Sequence, residues 1–233
     1  MPNSNIENNN FNAITNAIFN KNKTYRYRLW RFNKLGNAIL YIMLNPSSAG
    51  ENKNDNTITK LCGFTSRLQF DGFIVCNLCA RISTDPSNIK RDEYLTSIDM
   101  KIISNTLKLQ CVKQVIYAWG QNFNQKDKIV LLNKLLDEHG FRPYCLSICK
   151  NNVPRHPLML SYNSILRPYF NSYDEHTKFK ETYNKQKKLH NMLNPNVNYD
   201  EFYISVNTIE KYKISEVETK KVLNKLDRKI VEI

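Results

Sequence analysis

The run Ala38-Ile39-Leu40-Tyr41-Ile42-Met43-Leu44 constrains this chain most. It is apolar throughout, with no alternation of polar and apolar positions, so a strand built from it must be covered on both faces. That excludes a hairpin with one wet face and points to a central parallel strand between layers of helix. The turn Asn45-Pro46-Ser47-Ser48-Ala49-Gly50 ends the run. Pro46 restricts Asn45 to extended conformations, so a polar amide is held at the strand's carboxyl end.

Three later apolar stretches close in the same way. Residues 73–79 end in Cys76-Asn77-Leu78-Cys79, 114–119 end in Trp119-Gly120, and 143–148 lead into KNNVPRHPLML, which carries His156. The segments between them have helical spacing: 57–69, with Ile58, Leu61, Cys62, Phe64, Thr65 and Leu68 on one face, then 91–109, then 125–139 with Gly140 as a stop. This order predicts an α/β fold, a three-layer α/β/α sandwich with a mostly parallel four-stranded central sheet. Such sheets bind ligands at the carboxyl ends of their strands, so Asn45, Asn77 and His156 are expected to line one pocket. Residues 24–169 form this domain. Residues 1–23 read as a flexible Asn-rich arm with a short helix at 11–19. Residues 170–233 read as a mainly helical extension, with helices at 174–192 and 215–231 around a short segment at 202–206.

Charge enters through the excess of basic residues. The formal net charge is +13, and residues 1–169 hold 22 Lys and Arg against 11 Asp and Glu. A basic surface around a pocket suits a polyanion. A composition rich in Lys, Asn and Ile would raise the charge without any function. The segment Tyr25-Arg26-Tyr27-Arg28-Leu29-Trp30-Arg31 has strand periodicity, with Arg26, Arg28 and Arg31 expected to point outward. They would serve there as phosphate contacts or as charges guarding an edge strand.

Several classes are set aside. No apolar run approaches the ~18–20 residues of a membrane span, and the N-terminus lacks the apolar core of a secretory signal. The expectation is a soluble cytoplasmic protein. The six cysteines lie mainly in apolar strands and read as buried thiols, because a zinc knuckle places glycine or charge around each pair. No glycine-rich phosphate fingerprint follows the first strand. No Gly-x-Ser-x-Gly elbow is present, and no histidines sit at metal-ligand spacing. Neither cofactor nor metal is expected. What remains is Asn45, Asn77, His156 and Asp55 of the first loop. Asp55 also suits a helix cap. Asn77 also suits a structural amide, and His156 a residue that ties its loop.

The motifs YRYRLWR, IMLNPSSAG, DNTI, VCNLCARISTDP, YAWG and RHPL, in that order over residues 25–169, resemble a bacterial and phage domain family of unknown function. Its pattern is similar in turn, more distantly, to the uracil-DNA glycosylase superfamily. The resemblance places Asn45-Pro46 like that superfamily's first motif, Asn77 like its base-reading Asn, and His156-Pro157 like its His-Pro loop. It implies a monofunctional DNA glycosylase acting on double-stranded DNA with a flipped base, with no obligate protein partner. The chain lacks the glycine before Asn45-Pro46 and has Leu158 where serine is usual. Those departures point to a modified pyrimidine, and the family's occurrence in phages and bacteria implies a hydroxymethylated or glucosylated base of phage DNA and a role in antiviral defence.

The residue chemistry fits on its own terms. Cleaving an N-glycosidic bond needs a held water, stabilisation of a cationic sugar and help for the departing base. Asn45 can hold the water by its carbonyl, and Asp55 can act as base or stabilise the sugar. Asn77 can pair with a pyrimidine edge, helped by Pro46, Ser47 and Trp119 as pocket wall. His156 can donate to a base oxygen as it gains charge. Leu158 or Met159 can fill the vacated stack, and Arg155 can hold a phosphate. Two alternatives stay open: a module that binds a modified base without chemistry, and a transferase that modifies a nucleobase in DNA or tRNA.

Overall fold

The structure is a computed structural model and describes residues 14–149, 151–170, 172–196 and 198–200. One mixed sheet organises them. Its strands are β1 (Ile14–Phe19), β2 (Arg26–Phe32), β3 (Ala38–Met43), β4 (Gly72–Asn77), β5 (Val112–Tyr117), β6 (Pro143–Cys145) and β7 (Arg167–Pro168). They lie in the order β1-β2-β4-β3-β5-β6-β7. The four expected strands β4-β3-β5-β6 are mutually parallel. β1, β2 and β7 add to them antiparallel, so the sheet has seven strands rather than four.

The apolar run of β3 alternates between two cores. Ala38, Leu40 and Ile42 pack with Ile102, Ile103, Leu107, Ile129, Leu132 and Leu136 of α2 (Ser97–Leu107) and α3 (Lys126–Glu138). Ile39, Tyr41 and Met43 pack with Ile58, Leu61 and Phe64 of α1 (Asn56–Arg67). Each such buried aliphatic or aromatic side chain contributes about 1.5–3 kcal/mol. Helices therefore cover both faces, which explains why the run lacks polar residues.

Several boundaries differ from the sequence reading. The segment 11–19 does not form a helix. Ile14–Phe19 is a strand whose β-branched residues pair with β2, and Asn20 closes the turn by accepting from the Thr24 and Tyr25 N–H groups, each at 2.9 Å. The folded unit thus begins before residue 24. The helix expected at 91–109 starts only at Ser97. Thr96 caps it and Asp99 reaches back to the Thr96 N–H at 2.9 Å, a reciprocal box that fixes the start. The helix expected at 174–192 is α4 (Tyr173–Leu193). The readings at 202–206 and 215–231, and the first part of the arm, lie outside the described residues. No described helix is long and apolar enough to cross a membrane.

β2 is not an edge strand, because β1 pairs along its outer side. Arg26, Arg28 and Arg31 are accordingly buried, with 4, 4 and 1% exposure. None of the three can reach a DNA backbone, so the expected phosphate contacts are corrected. Arg31 instead donates to the Trp30 and Gly50 carbonyls at 2.8 and 2.7 Å and to Asn54 Oδ1 at 2.8 Å, which fastens the loop after β3. Arg28 lies against the Cys76 thiol.

Candidate active site

The chain leaves β3 through α1 to β4 on one side, then crosses by α2 to β5 on the other. Where successive connections part in this way, the carboxyl ends of the strands open into a crevice. A cavity of about 220 Å³ occupies this place. It is lined by Asn45 and Ser47 after β3, Asn77 at the end of β4, Trp119 and Gly120 after β5, and His156 beyond β6. Asp55 and Arg26 complete the wall. At about 30 Å³ per water, this is room for roughly seven waters, enough for a single ring with a substituent.

Asn45 is oriented by its neighbours. Its Nδ2 donates to the Pro46 carbonyl at 3.0 Å and the Ser83 carbonyl at 2.7 Å. Both partners are pure acceptors, so the amide nitrogen must face them, and Oδ1 remains as a free acceptor for the cavity. Pro46 does not line the cavity. It is buried, and its carbonyl also accepts from the Ser83 N–H at 3.0 Å, so its part is to position Asn45. Asn77 is 5% exposed, and its side-chain amide has no hydrogen-bond partner among the described residues. The amide borders the cavity and can be completed there by water or a ligand.

His156 sits on a loop held by backbone bonds. Gly120 N–H donates to the Pro154 carbonyl at 3.0 Å and Arg155 N–H to the Ser147 carbonyl at 2.8 Å. Gly120 has φ +81°, and a Cβ there would stand 3.0 Å from the His156 Cβ, so glycine both makes the turn and admits the histidine. The Leu158 N–H donates to His156 Nδ1 at 3.3 Å. With Nδ1 accepting, the neutral ring carries its proton on Nε2 and offers a donor there. Burial holds the imidazole below its ordinary value, opposed by the negative charge of Asp55. The ring is therefore a neutral donor at neutral pH.

Asp55 has two duties. Its Oδ1 caps α1 by accepting from the Ile58 N–H at 2.8 Å, and the residue also borders the cavity. Trp119 is 1% exposed and packs with Tyr117 and Phe123 at ring separations of 4.5 and 6.0 Å, so it is wall rather than a free stacking surface. Arg155, Leu158 and Met159 lie outside the cavity. Arg155 is exposed, and Leu158 and Met159 are 39 and 84% exposed on the 3₁₀ turn Pro157–Met159 that follows His156.

Arg26 was misread from sequence. It faces inward because the β1–β2 register shifts: Ile18 pairs with Arg28 and Phe19 with Arg26, leaving Tyr27 as the extra residue. Such a bulge re-aims a side chain. Ser83, Thr84, Gln121 and Asn122 also border the cavity. Their loops follow β4 and β5 directly, which is the signal that would have found them. Among the described residues no three of His, Cys, Asp or Glu converge as a metal-holding group, and all six cysteines are free thiols.

Fold and site together define a mixed α/β protein whose strand ends bring four amides, an imidazole, a carboxylate and a guanidinium around a small cavity. The matching family profile is described as a protein of unknown function, DUF1643, and covers residues 26–158, more than half of the chain. The chain belongs to that family. The matched span holds β2 through the His156 loop, and hence every cavity residue named above. No curated protein and no solved structure matches the chain.

Proposed function

We propose that the protein is a monofunctional DNA glycosylase, which hydrolyses the N-glycosidic bond of a modified pyrimidine and leaves an abasic site. The observation that carries this reading is the convergence of Asn45, Asp55, Asn77 and His156 on one cavity, with the Asn45 carbonyl oxygen and the His156 Nε2 donor left uncommitted. The mixed α/β fold supports it only in placing the cavity at the carboxyl ends of the parallel strands, where such sheets bind ligands.

In this reading a duplex base is first flipped into the cavity, at a cost of a few kcal/mol. Asn77 pairs with its edge through one donor and one acceptor. Asn45 Oδ1 accepts a hydrogen bond from the water that attacks the sugar C1′. As the C1′–N bond breaks, its electron pair goes to the base, and His156 Nε2–H donates to the base oxygen that gains the charge. Asp55 stabilises the cationic sugar and takes the proton of the water. The products are a free base and a hemiacetal sugar in an intact strand. Among the described residues no lysine borders the cavity, and the reaction proposed needs no Schiff base and leaves the strand uncut. Arg155, Leu158 and Met159, exposed beside the mouth, are placed to meet the strand and fill the gap. Phage DNA with hydroxymethylated or glucosylated pyrimidines is the natural substrate class, and antiviral defence the setting.

One observation favours a second reading. Asp55 already spends an oxygen on the α1 cap, and a cavity without a free carboxylate would bind a modified base without releasing it. The two readings part in one experiment: duplexes with each modified pyrimidine are incubated with the protein, and both retention and abasic sites are scored. Abasic sites support the glycosylase. Salt-dependent retention with intact bases supports the binding module.

A further inference from the structure

The chemistry above leaves one charged group of the cavity unused. Arg26 is 4% exposed and borders the cavity. Its Nη1 donates to the Ala49 carbonyl at 2.9 Å, and its Nε is buried without a partner. Nη2 has no hydrogen-bond partner among the described residues, and the ion pairs among them do not include Arg26. Burial and the Nη1–Ala49 hydrogen bond hold the guanidinium in the wall, and the bulge at Tyr27 aims the side chain inward.

Burial depresses the guanidinium to about 10, and the nearby charge of Asp55 works against that shift. It therefore stays charged at neutral pH. A buried charge that lacks a direct ion pair carries a desolvation cost that Asp55 and the Ala49 carbonyl offset only in part. Arg28 and Arg31 are buried too, and the Arg28 Nε is likewise without a partner, but neither offers an open guanidinium to the cavity. Arg31 spends its guanidinium on loop carbonyls and Asn54, and Arg28 does not border the cavity. A guanidinium with an open N–H edge in a cavity wall is suited to oxygen acceptors, and to anionic oxygen above neutral oxygen.

We propose that Arg26 is the specificity residue of the cavity: it reads an oxygen-bearing substituent on the bound pyrimidine, the hydroxyl of a hydroxymethylated base included, and holds an anionic oxygen more tightly still. This names the substrate class of the proposed glycosylase site and rests on that reading for the pyrimidine scaffold. It does not rest on catalysis. Asn77 would hold the ring edge common to all pyrimidines, and Arg26 would distinguish what the ring carries.

The test uses the full chain and free bases of matched shape. Calorimetric affinities are measured at neutral pH and low salt for 5-carboxyuracil and uracil-5-carboxamide, and for 5-hydroxymethyluracil and thymine. The expected result is about tenfold tighter binding of the carboxylate than the carboxamide, equivalent to roughly 1.4 kcal/mol, and tighter binding of the hydroxymethyl base than of thymine. Arg26→Gln brings the carboxylate ratio to about one, and Arg26→Lys keeps a ratio above one. If Arg26→Gln does not fold, the wild-type ratio decides alone. A wild-type ratio near one, or no binding of any of the four bases at millimolar concentration, overturns the proposal. A retained ratio without base release from any DNA leaves the proposal standing and removes the glycosylase reading. Base release without a ratio does the reverse.

Discussion

Two glycines allow the His156 geometry to be separated from simple backbone cost. Gly120 and Gly140 have φ of +81° and +74°. Alanine at either position must adopt a left-handed conformation, at about 1–2 kcal/mol. For a chain of this size that is a fall of roughly 2–8 °C in melting temperature. A Cβ at Gly140 meets nothing within 4 Å, so Gly140→Ala should show this cost and nothing more. A Cβ at Gly120 stands 3.0 Å from the His156 Cβ, which must move by a few tenths of an ångström. The Gly120–Pro154 hydrogen bond limits how the loop can yield, so the shift passes to the imidazole. Because a misplacement of about 1 Å can cost 10²-fold, the smaller shift should cost roughly tenfold in base release. The assay pairs thermal unfolding with base release for both variants. Similar melting temperatures, with base release lowered roughly tenfold only in Gly120→Ala, is the expected outcome. Full function in Gly120→Ala, or equal loss in both, would refute the argument that this close approach sets His156.

Two further predictions concern charge. Asp55→Asn keeps a good helix cap, so stability should change by only a few tenths of a kcal/mol, while Asp55→Ala loses about 0.5–2 kcal/mol. Both should lower base release by 10²-fold or more if the carboxylate takes part in the reaction; an active Asp55→Asn variant would leave Asp55 as a cap alone. His176 is buried, accepts from the Phe170 N–H at 3.1 Å, and is pushed down from 6.5 to about 4 by burial. The unfolded chain protonates first, so its contribution is fully present above pH 6.5 and is lost as pH falls through about 4. At about 1.4 kcal/mol per unit this reaches roughly 3 kcal/mol. Urea midpoints at the two ends of that window should converge in His176→Gln, which keeps an acceptor but cannot be charged. His156 shifts in the same sense, so an unchanged slope in His176→Gln would assign the acid loss elsewhere.

Much of this architecture was legible because its signals are local. The unbroken apolar run of β3 requires cover on both faces, and the caps of α1 and the stop after α3 are written in Asp55 and Gly140. Asn45, Asn77 and His156 follow parallel strands, and the crossover rule alone brings them to one edge. The arginines of β2 were not legible for the opposite reason. Their alternation with aromatics reads as a solvated edge, but the partner that buries them, β1, lies in an Asn-rich segment with weak patterning. The carbonyls that hold Arg26 and Arg31 come from Ala49 and Gly50, some 20 residues away in sequence. A bulge at Tyr27 then reverses which face Arg26 uses, and no periodicity predicts that. The late start of α2 was available in Thr96-x-x-Asp99, whose capping box outweighs the helical spacing before it.

The most direct measurement of the central claim is the mass of what leaves the DNA. Wild type, Asn45→Ala and His156→Ala would each be incubated with unmodified duplex, uracil-containing duplex, and phage genomic DNA carrying hydroxymethylated or glucosylated pyrimidines. Free bases would be identified by mass spectrometry and abasic sites counted in the same samples. The account predicts one modified base released by the wild type in equal number with abasic sites, and release lost in both folded variants. Undiminished release by either variant, or intact bases in every DNA that the wild type binds, would contradict it.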